Sequence, residues 1–272
     1  MRLLTWNLFH GRDHPPNPAL LTWRSRLIRR PERDATHLQV NRPLVAEFAA
    51  RLSEWEWDVA LLQEAPPRWR GALERATGAM GSCDLTSRNT LAPLRARVAD
   101  WNPNLIASNE GGSNMLLARP PARILATAAA TLATSPERRR MLMARLALPG
   151  DRRLVVACLH VSAPRTGHGH AEAARAAEIA TAWAAGDPLV LGGDVNLRPR
   201  RDRPAFDALR DRFGLAPPTG PNAIDHLLAA RSLDVVAPPA ALPAAEREVS
   251  GPGGLAIRLS DHAPVVASFG LR

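Results

Sequence analysis

The sequence predicts a mixed α/β fold. Three observations carry this. Short apolar runs at 58–62, 153–161 and 188–192 read as strands. Helix-like stretches separate strands near both ends of the chain. In the middle, strand-like runs at 113–118, 122–133 and 140–148 follow one another directly, which excludes a clean βαβ repeat.

Residues 2–8 (RLLTWNL) read as the first strand, with Asn7 at its end. Residues 10–40, rich in Pro, Arg and Asp, read as a long loop with one helical turn. Asn41 is placed to cap a helix that has Pro43 near its start and runs through Leu44, Phe48 and Leu52. The strand 58–62 (DVALL) leads to Gln63 and Glu64, and 67–77 read as a helix. Residues 78–112 show no organising pattern. After the three central strands, 153–161 (RLVVACLHV) form a buried strand ending at His160. An Ala-rich helix covers 170–185, the strand 188–192 (PLVLG) leads to Gly193 and Asp194, and 204–213 read as a helix. Strands at 223–229 and 263–269 close the chain, and the Pro/Ala stretch 237–245 reads as a loop. With neither an internal repeat nor a dividing linker, residues 1–272 are expected to form one domain.

Hydrophobic residues make up 46% of the chain and charged residues 22%, enough apolar surface to build a core and to exclude disorder as the main state. No apolar run reaches the ~18 residues of a membrane span. The chain enters a strand directly after Met1-Arg2, with no n-region or cleavage site, so a cytoplasmic protein is expected, monomeric by default. Cys83 and Cys158 cannot make a disulfide framework, and Cys158, within an apolar run, reads as a small buried hydrophobe. The net charge of +9 points towards an anionic partner. All 35 cations are arginine. A GC-rich coding sequence accounts for Arg in place of Lys, but not for the excess of cations over acids.

Several apolar runs end in a polar functional group: Asn7, Glu64, His160, then Asp194 and Asn196, with Asp225 in AIDH and Asp261-His262 in LSDH. Singly, each has an ordinary reading, as a surface acid, a satisfied core histidine or a turn residue. Jointly they do not. In open α/β sheets ligands bind beyond the carboxyl ends of strands. Carboxylates gathered there cannot be buried unpaired, because each isolated one costs several kcal/mol. A divalent cation with oxygen ligands resolves that cost, and a donor set dominated by carboxylates suits Mg²⁺ or Mn²⁺.

These residues stand in TWNLFHG (5–11), ALLQEA (60–65), GGSNMLLAR (111–119), CLHVSA (158–163), LVLGGDVNLRP (189–199), AIDHLL (223–228) and LSDHAPV (259–265). In that order, and over almost the whole chain, they resemble the endonuclease/exonuclease/phosphatase superfamily, which includes deoxyribonucleases, apurinic endonucleases, inositol polyphosphate 5-phosphatases and neutral sphingomyelinases. The resemblance implies an α/β four-layer sandwich, two packed mixed β-sheets flanked by helices, with the site at one end of the sheets. It implies a metal-dependent phosphoric ester hydrolase. Position by position, Glu64 matches the metal-binding glutamate, Asn7 the asparagine beside it and Asp261 the acid near the metal. Asp194 and Asn196 match the pair that orients nucleophile and phosphate. His262 matches the general base or phosphate-binding histidine and Asp225 the acid that orients it. His160 matches the histidine that some members turn towards leaving group or phosphate, and Asn114 a polar residue of the cleft. Apurinic endonucleases use a cleft tyrosine, whereas this chain contains none.

Arginines flank the motif loops: Arg24, Arg26, Arg29, Arg30 and Arg33 after the first, Arg95 and Arg97 before Trp101, and Arg198, Arg200, Arg201 and Arg203 after GGDVN. Arg198 and Arg200 are therefore candidate substrate contacts, since arginine forks suit phosphates, and Trp23 could stack on a base. The expectation is an Mg²⁺- or Mn²⁺-dependent phosphodiesterase acting on nucleic acid. The alternatives are a phosphatase or phospholipase-type hydrolase of an inositol phosphate, sphingomyelin or another small phosphoester, and an inactive basic nucleic-acid-binding module. The last would not explain carboxylates gathered where, without a metal, they repel phosphate.

Overall fold

Apolar residues on both faces of the central strands build two sheets that share a core. A computed structural model describes residues 1–86, 91–106, 112–135, 137–163 and 167–271. Its strands are β1 (Arg2–Asn7), β2 (Glu32–Arg33), β3 (Leu38–Gln39), β4 (Val59–Ala65), β5 (Met80–Leu85), β6 (Ser113–Ala118), β7 (Arg123–Ala133), β8 (Arg139–Leu148), β9 (Arg152–His160), β10 (Leu189–Asp194), β11 (Asp225–Ala229), β12 (Leu233–Ala241), β13 (Glu248–Ser250), β14 (Ala256–Arg258) and β15 (Val265–Leu271). The helices are α1 (Trp23–Ile28), α2 (Val45–Glu54), α3 (Arg70–Thr77), α4 (Ala92–Trp101), α5 (Pro103–Ile106), α6 (Gly169–Ala184) and α7 (Arg203–Phe213).

One sheet runs β12-β15-β1-β4-β6-β5, the other β11-β10-β9-β8-β7. Leu61 and Leu116 of the first meet Val156, Val190 and Leu227 of the second in the central core. Their sequence neighbours point outward. Leu4 and Leu62 pack against Phe48, Leu52 and Leu73 of α2 and α3. Val155 and Leu191 pack against α6 and α7. On α6, Ala173, Ala176, Ala177, Ala180 and Ala184 fall on one helical face, and their small size lets the helix lie close to the sheet. The result is the expected four-layer sandwich: helices, sheet, sheet, helices. Among the described residues no helix is long and apolar enough to cross a membrane.

Three expectations need correction. The stretch 78–112 is organised after all: it holds the edge strand β5 and the helices α4 and α5. The Pro/Ala stretch is not a loop, because 237–241 belong to β12. That strand tolerates Pro238 and Pro239 because it lies at the sheet edge and its pairing with β15 shifts register twice. Asn41 does not cap α2, whose N-cap is Leu44. Its buried amide instead donates to the Ser25 carbonyl at 2.7 Å and to Asn102 Oδ1 at 2.8 Å.

The topology also puts every motif at one end of the sandwich. β1 and β4 are parallel, as are β9 and β10, so their carboxyl ends coincide. The antiparallel β6, β11 and β15 bring their amino ends to the same edge. Register makes this specific: Asp194 lies opposite His160 on one side and Asp225 on the other. Gly193 makes the close strand approach possible. It has φ of 140°, and a Cβ there would meet the Leu159 carbonyl oxygen at 2.0 Å. Gly193→Ala is therefore expected to cost about 3 kcal/mol or more, lowering the thermal midpoint by about 6 °C or more. A calorimetric midpoint equal to wild type would contradict this account of the strand pair.

Candidate active site

The site is assembled from strand ends upward. Asn7, at the end of β1, is 2% exposed. Its amide donates to Asp194 Oδ2 at 3.1 Å, joining one sheet to the other, while its Oδ1 accepts the Phe9 N–H at 2.9 Å. Asp194 Oδ1 in turn accepts the Asn196 N–H at 3.1 Å, and the Asn196 amide donates to the Val161 carbonyl at 2.9 Å. A register shift between Leu62 and Ala65 leaves Glu64 at φ of 49°. Such a bulge re-aims a side chain without ending the strand. Asn196 (φ 54°), His10 (φ 54°) and Ser260 (φ 60°) are also left-handed, so backbone strain concentrates around this site.

Ser260 fixes the last motif. Its hydroxyl donates to the Asn7 carbonyl at 2.6 Å and accepts the His262 N–H at 3.0 Å, and Trp6 Nε1 donates to the His262 carbonyl at 3.0 Å. His262 Nδ1 lies 2.8 Å from Asp225 Oδ2, which leaves Nε2 at 3.8 Å from Asp194 Oδ2 and 3.9 Å from Asp261 Oδ1. His160 stands between two acids, with Nε2 at 3.3 Å from Asp194 Oδ2 and Nδ1 at 3.9 Å from Glu64 Oε1.

Protonation follows from this crowding. Burial and the neighbouring Asp225 push Asp194 up to about 7. Burial works against a charged His262, but the charge and hydrogen bond of Asp225, with Asp194 and Asp261, outweigh it and raise the imidazole to about 10. His160 is driven the other way: burial, helped by the Arg139 charge, lowers it to about 3. Burial also opposes ionisation of Glu64, yet the hydrogen bond from His10, with the charges of His10, His160 and His262, holds its carboxyl well below the ordinary range.

A cleft of about 800 Å³ opens over His10, Glu64, His160, Asp194, Asn196 and His262, with Thr86, Thr134, Glu137, Arg138 and Arg139 on its walls. A second depression of about 370 Å³ lies behind His262 and is lined by Arg198, Asp225, Arg247 and Asp261 among others. The structure thus brings together Asn7, Glu64, His160, Asp194, Asn196, Asp225, Asp261 and His262. Two predicted site residues stand apart. Asn114 is fully buried and lines neither hollow; its amide donates to the Arg140 carbonyl at 2.6 Å. Arg200 is exposed and lines neither hollow, its N–H bonded to the Pro221 carbonyl. Arg198 lines the second depression, held by the Asn222 carbonyl. Gly111, the first residue of the third motif, lies outside the described residues.

Sequence reasoning missed His10, whose Nε2 sits 3.0 Å from Glu64 Oε2. It is inside the TWNLFHG motif, and its signal was the turn signature of Gly11 directly after it. Gly11 has φ of 75°, and any Cβ would strike the Trp69 ring at 2.1 Å. Arg138 and Arg139 were also missed, because they stand in a run of charges where β8 begins.

The metal fit rests on donors. Asp194, Asp225 and His262 each offer an atom within 4.8 Å of the others, but Asp225 and His262 are bonded to each other at 2.8 Å, which leaves the carboxylates of Asp194, Glu64 and Asp261, set around the two histidines, for a cation. Asp225 Oδ1 is buried without a partner, and Asp194 is raised first by burial and then by the neighbouring carboxylates, a cost that a divalent cation would relieve. An oxygen-rich set of this kind fits a hard divalent cation.

The sequence profile of the endonuclease/exonuclease/phosphatase family matches residues 4–262. The chain belongs to that family. A search of the curated proteins returns no match. Among solved structures, the fold is similar to a Bacteroides thetaiotaomicron endonuclease/exonuclease/phosphatase family protein (TM-score 0.67, 14% identity, covering 100% of this chain and 98% of that one). It is equally similar to a Bacteroides thetaiotaomicron mannosyl-6-phosphatase (0.67, 14%, 100% of both chains). The human Nocturnin catalytic domain, solved with a bound sulfate anion, gives 0.65 at 16%, over 100% of this chain and 94% of that one. At these identities the likeness is one of fold.

The pairing of His262 with Asp225 has a pH signature in the metal-free protein. An imidazole raised from about 6.5 when unfolded to about 10 when folded contributes stability that is full below the unfolded value and is lost as pH rises towards the folded one. Asp225→Asn removes most of this. In chelator, wild type should exceed the variant by several degrees in thermal midpoint at pH 5–6, and the gap should close towards pH 10. A gap independent of pH would contradict the charged pair.

Proposed function

We propose that this chain is a divalent-metal-dependent phosphodiesterase. The observation that carries the reading is the Asp225–His262 pair at 2.8 Å, with His262 Nε2 facing Asp194. Glu64, Asn7 and Asp261 are assigned to the metal, with Asp194 adjoining it. When bound, the cation neutralises charge that grows on the phosphoryl oxygens. The protein's own groups divide the remaining work. Asp194, buried and held by Asn7 and Asn196, is placed to take a proton from water. His262, protonated through Asp225, donates Nε2–H to a phosphoryl oxygen. His160, neutral at working pH, has one N–H to offer to the phosphate or leaving group. Asn196 lines the cleft and orients without adding negative charge.

Arg138 and Arg198 flank the site on two sides and support a substrate that carries charge beyond the scissile phosphate, whereas Arg139 is paired with Glu137. A nucleic acid strand has that property along its length. Of the group after GGDVN, Arg201 and Arg203 lie near Asp202 and Asp207, at 3.6 Å each, and are partly neutralised. A second reading, a small phosphoester or phosphorylated lipid headgroup, is favoured by the modest size of the cleft and by the phosphatase of the same fold.

Chelator should abolish hydrolysis of a chromogenic phosphodiester, and Mg²⁺ or Mn²⁺ should restore it. Full activity in metal-stripped protein would overturn the reading. Asp225→Asn and His262→Ala should each cut turnover by ~10²-fold or more, with the double variant little worse than the worse single one; additive losses would separate the pair. On nucleic acid, each phosphate neutralised should add about −0.7 to −0.9 to the log–log salt dependence of binding. A flat salt profile on every polynucleotide tried would leave the small-ester reading.

A further inference from the structure

Exposed large apolar side chains occur on β5, β7 and β12, but α1, α4 and α5 carry six of them close together in the fold. α1 presents Trp23, Leu27 and Ile28 to solvent, at 63%, 54% and 61% exposure. α4 and α5 present Leu94, Trp101 and Leu105, at 59%, 53% and 45%. The two parts are latched from beneath. Asn41 reaches Ser25 and Asn102, and the Asn102 amide donates to the Arg26 carbonyl at 2.8 Å. The Arg29 guanidinium lies over the Trp101 ring at 5.8 Å. The apolar side chains are therefore held outward by buried polar bonds rather than left loose.

Arginines are interleaved with them. Arg24, Arg26, Arg29, Arg30 and Arg97 are all exposed. Of the nearby acids, Asp100 is paired with Arg68 at 2.8 Å, and Glu32, which accepts from the Thr22 hydroxyl at 2.9 Å, offsets one of these five cations. We propose that the α1/α4–α5 face is a peripheral docking surface for an anionic lipid bilayer, with its Trp, Leu and Ile side chains seated at the headgroup–acyl boundary and its arginines on lipid phosphates.

The choice of occupant follows from composition. A second copy of the chain would set one arginine-rich face against another. Nucleic acid would satisfy the arginines and stack on a tryptophan, but Leu27, Ile28, Leu94 and Leu105 offer nothing to phosphates or base edges. A bilayer surface takes all three kinds of side chain: aliphatic groups into hydrocarbon, Trp at the boundary, Arg on anionic headgroups.

The test is sedimentation of the full chain with vesicles of phosphatidylcholine alone and of phosphatidylcholine mixed equally with phosphatidylglycerol. Binding is expected on the anionic vesicles, with a blue shift of tryptophan fluorescence, and little on the neutral ones. The double variant Trp23→Ala/Ile28→Ser should lose about tenfold or more in partitioning, with unchanged circular dichroism. Its hydrolysis of a soluble chromogenic phosphodiester should also be unchanged, which keeps this inference separate from the catalytic one. Wild type remaining in the supernatant with anionic vesicles would overturn the proposal, as would a double variant that binds like wild type. Absence of vesicle binding together with retention of a single-stranded polynucleotide through the same two residues would assign the face to nucleic acid instead.

Discussion

A carboxylate buried between a histidine and a second carboxylate is the constraint on which the rest of the molecule depends. Asp194 has His160 opposite on β9 and Asp225 opposite on β11, and it is 2% exposed. Nothing about the core requires an acid there. Its cost is distributed: Asn7 reaches across from the other sheet, the Asn196 backbone turns back into the left-handed region to donate, and the two histidines supply positive charge or a dipole. Each of these compensations needs its own support, which is why Ser260, Trp6 and Gly193 are tied to the same few ångströms. The strand ends are placed by the sheets, but the sheets are joined at this end through the very groups that make the site.

The arrangement also pushes similar groups apart in protonation. Two histidines lie against Asp194, yet one is lowered to about 3 and the other raised to about 10. The difference comes from the partner. His262 has a directly bonded carboxylate in Asp225, whereas His160 is buried near the Arg139 guanidinium and makes only longer approaches to its acids. Groups of one type separated in this way can hold opposite proton roles at one pH. Beneath them lies a polar floor of Thr5, Gln63 and Cys158, in which the Gln63 amide donates to Cys158 Sγ at 3.2 Å. Burial drives that thiol up to about 12, so it serves packing rather than chemistry.

Much of this was legible in the sequence because the functional groups sit where apolar runs stop. A strand buried on both faces declares its own end, and a polar residue there has few structural excuses. What was not legible shares a cause too. Asn114 lies within an apolar run, and the strand period alone does not say whether its side chain reaches the cleft or, as it does, the backbone of β8. The edge strands β5 and β12 carry the weaker burial of a sheet margin, and two prolines concealed β12 further. Asn41 had the spacing of a helix cap, but its amide latches α1 to α5, contacts separated by tens of residues. His10 depended on a left-handed turn that residue type alone does not announce.

The arginines show where composition stops being informative. A net charge of +9 is a property of the whole surface, while recognition depends on which guanidinium groups remain available. Arg140 spans from β8 to Asp84 on β5, tying the two sheets together. Arg119 spends its fork on the carbonyls of Leu52 and Trp55. Such arginines are internal scaffolding and say nothing about a ligand. Those on α1 are different in kind, because the side chains between them are aliphatic and aromatic and stand more than half exposed. The polar groups at the strand ends are fixed by the two sheets. The periphery, where charge and exposed apolar area coincide, is where this chain's own partner is specified.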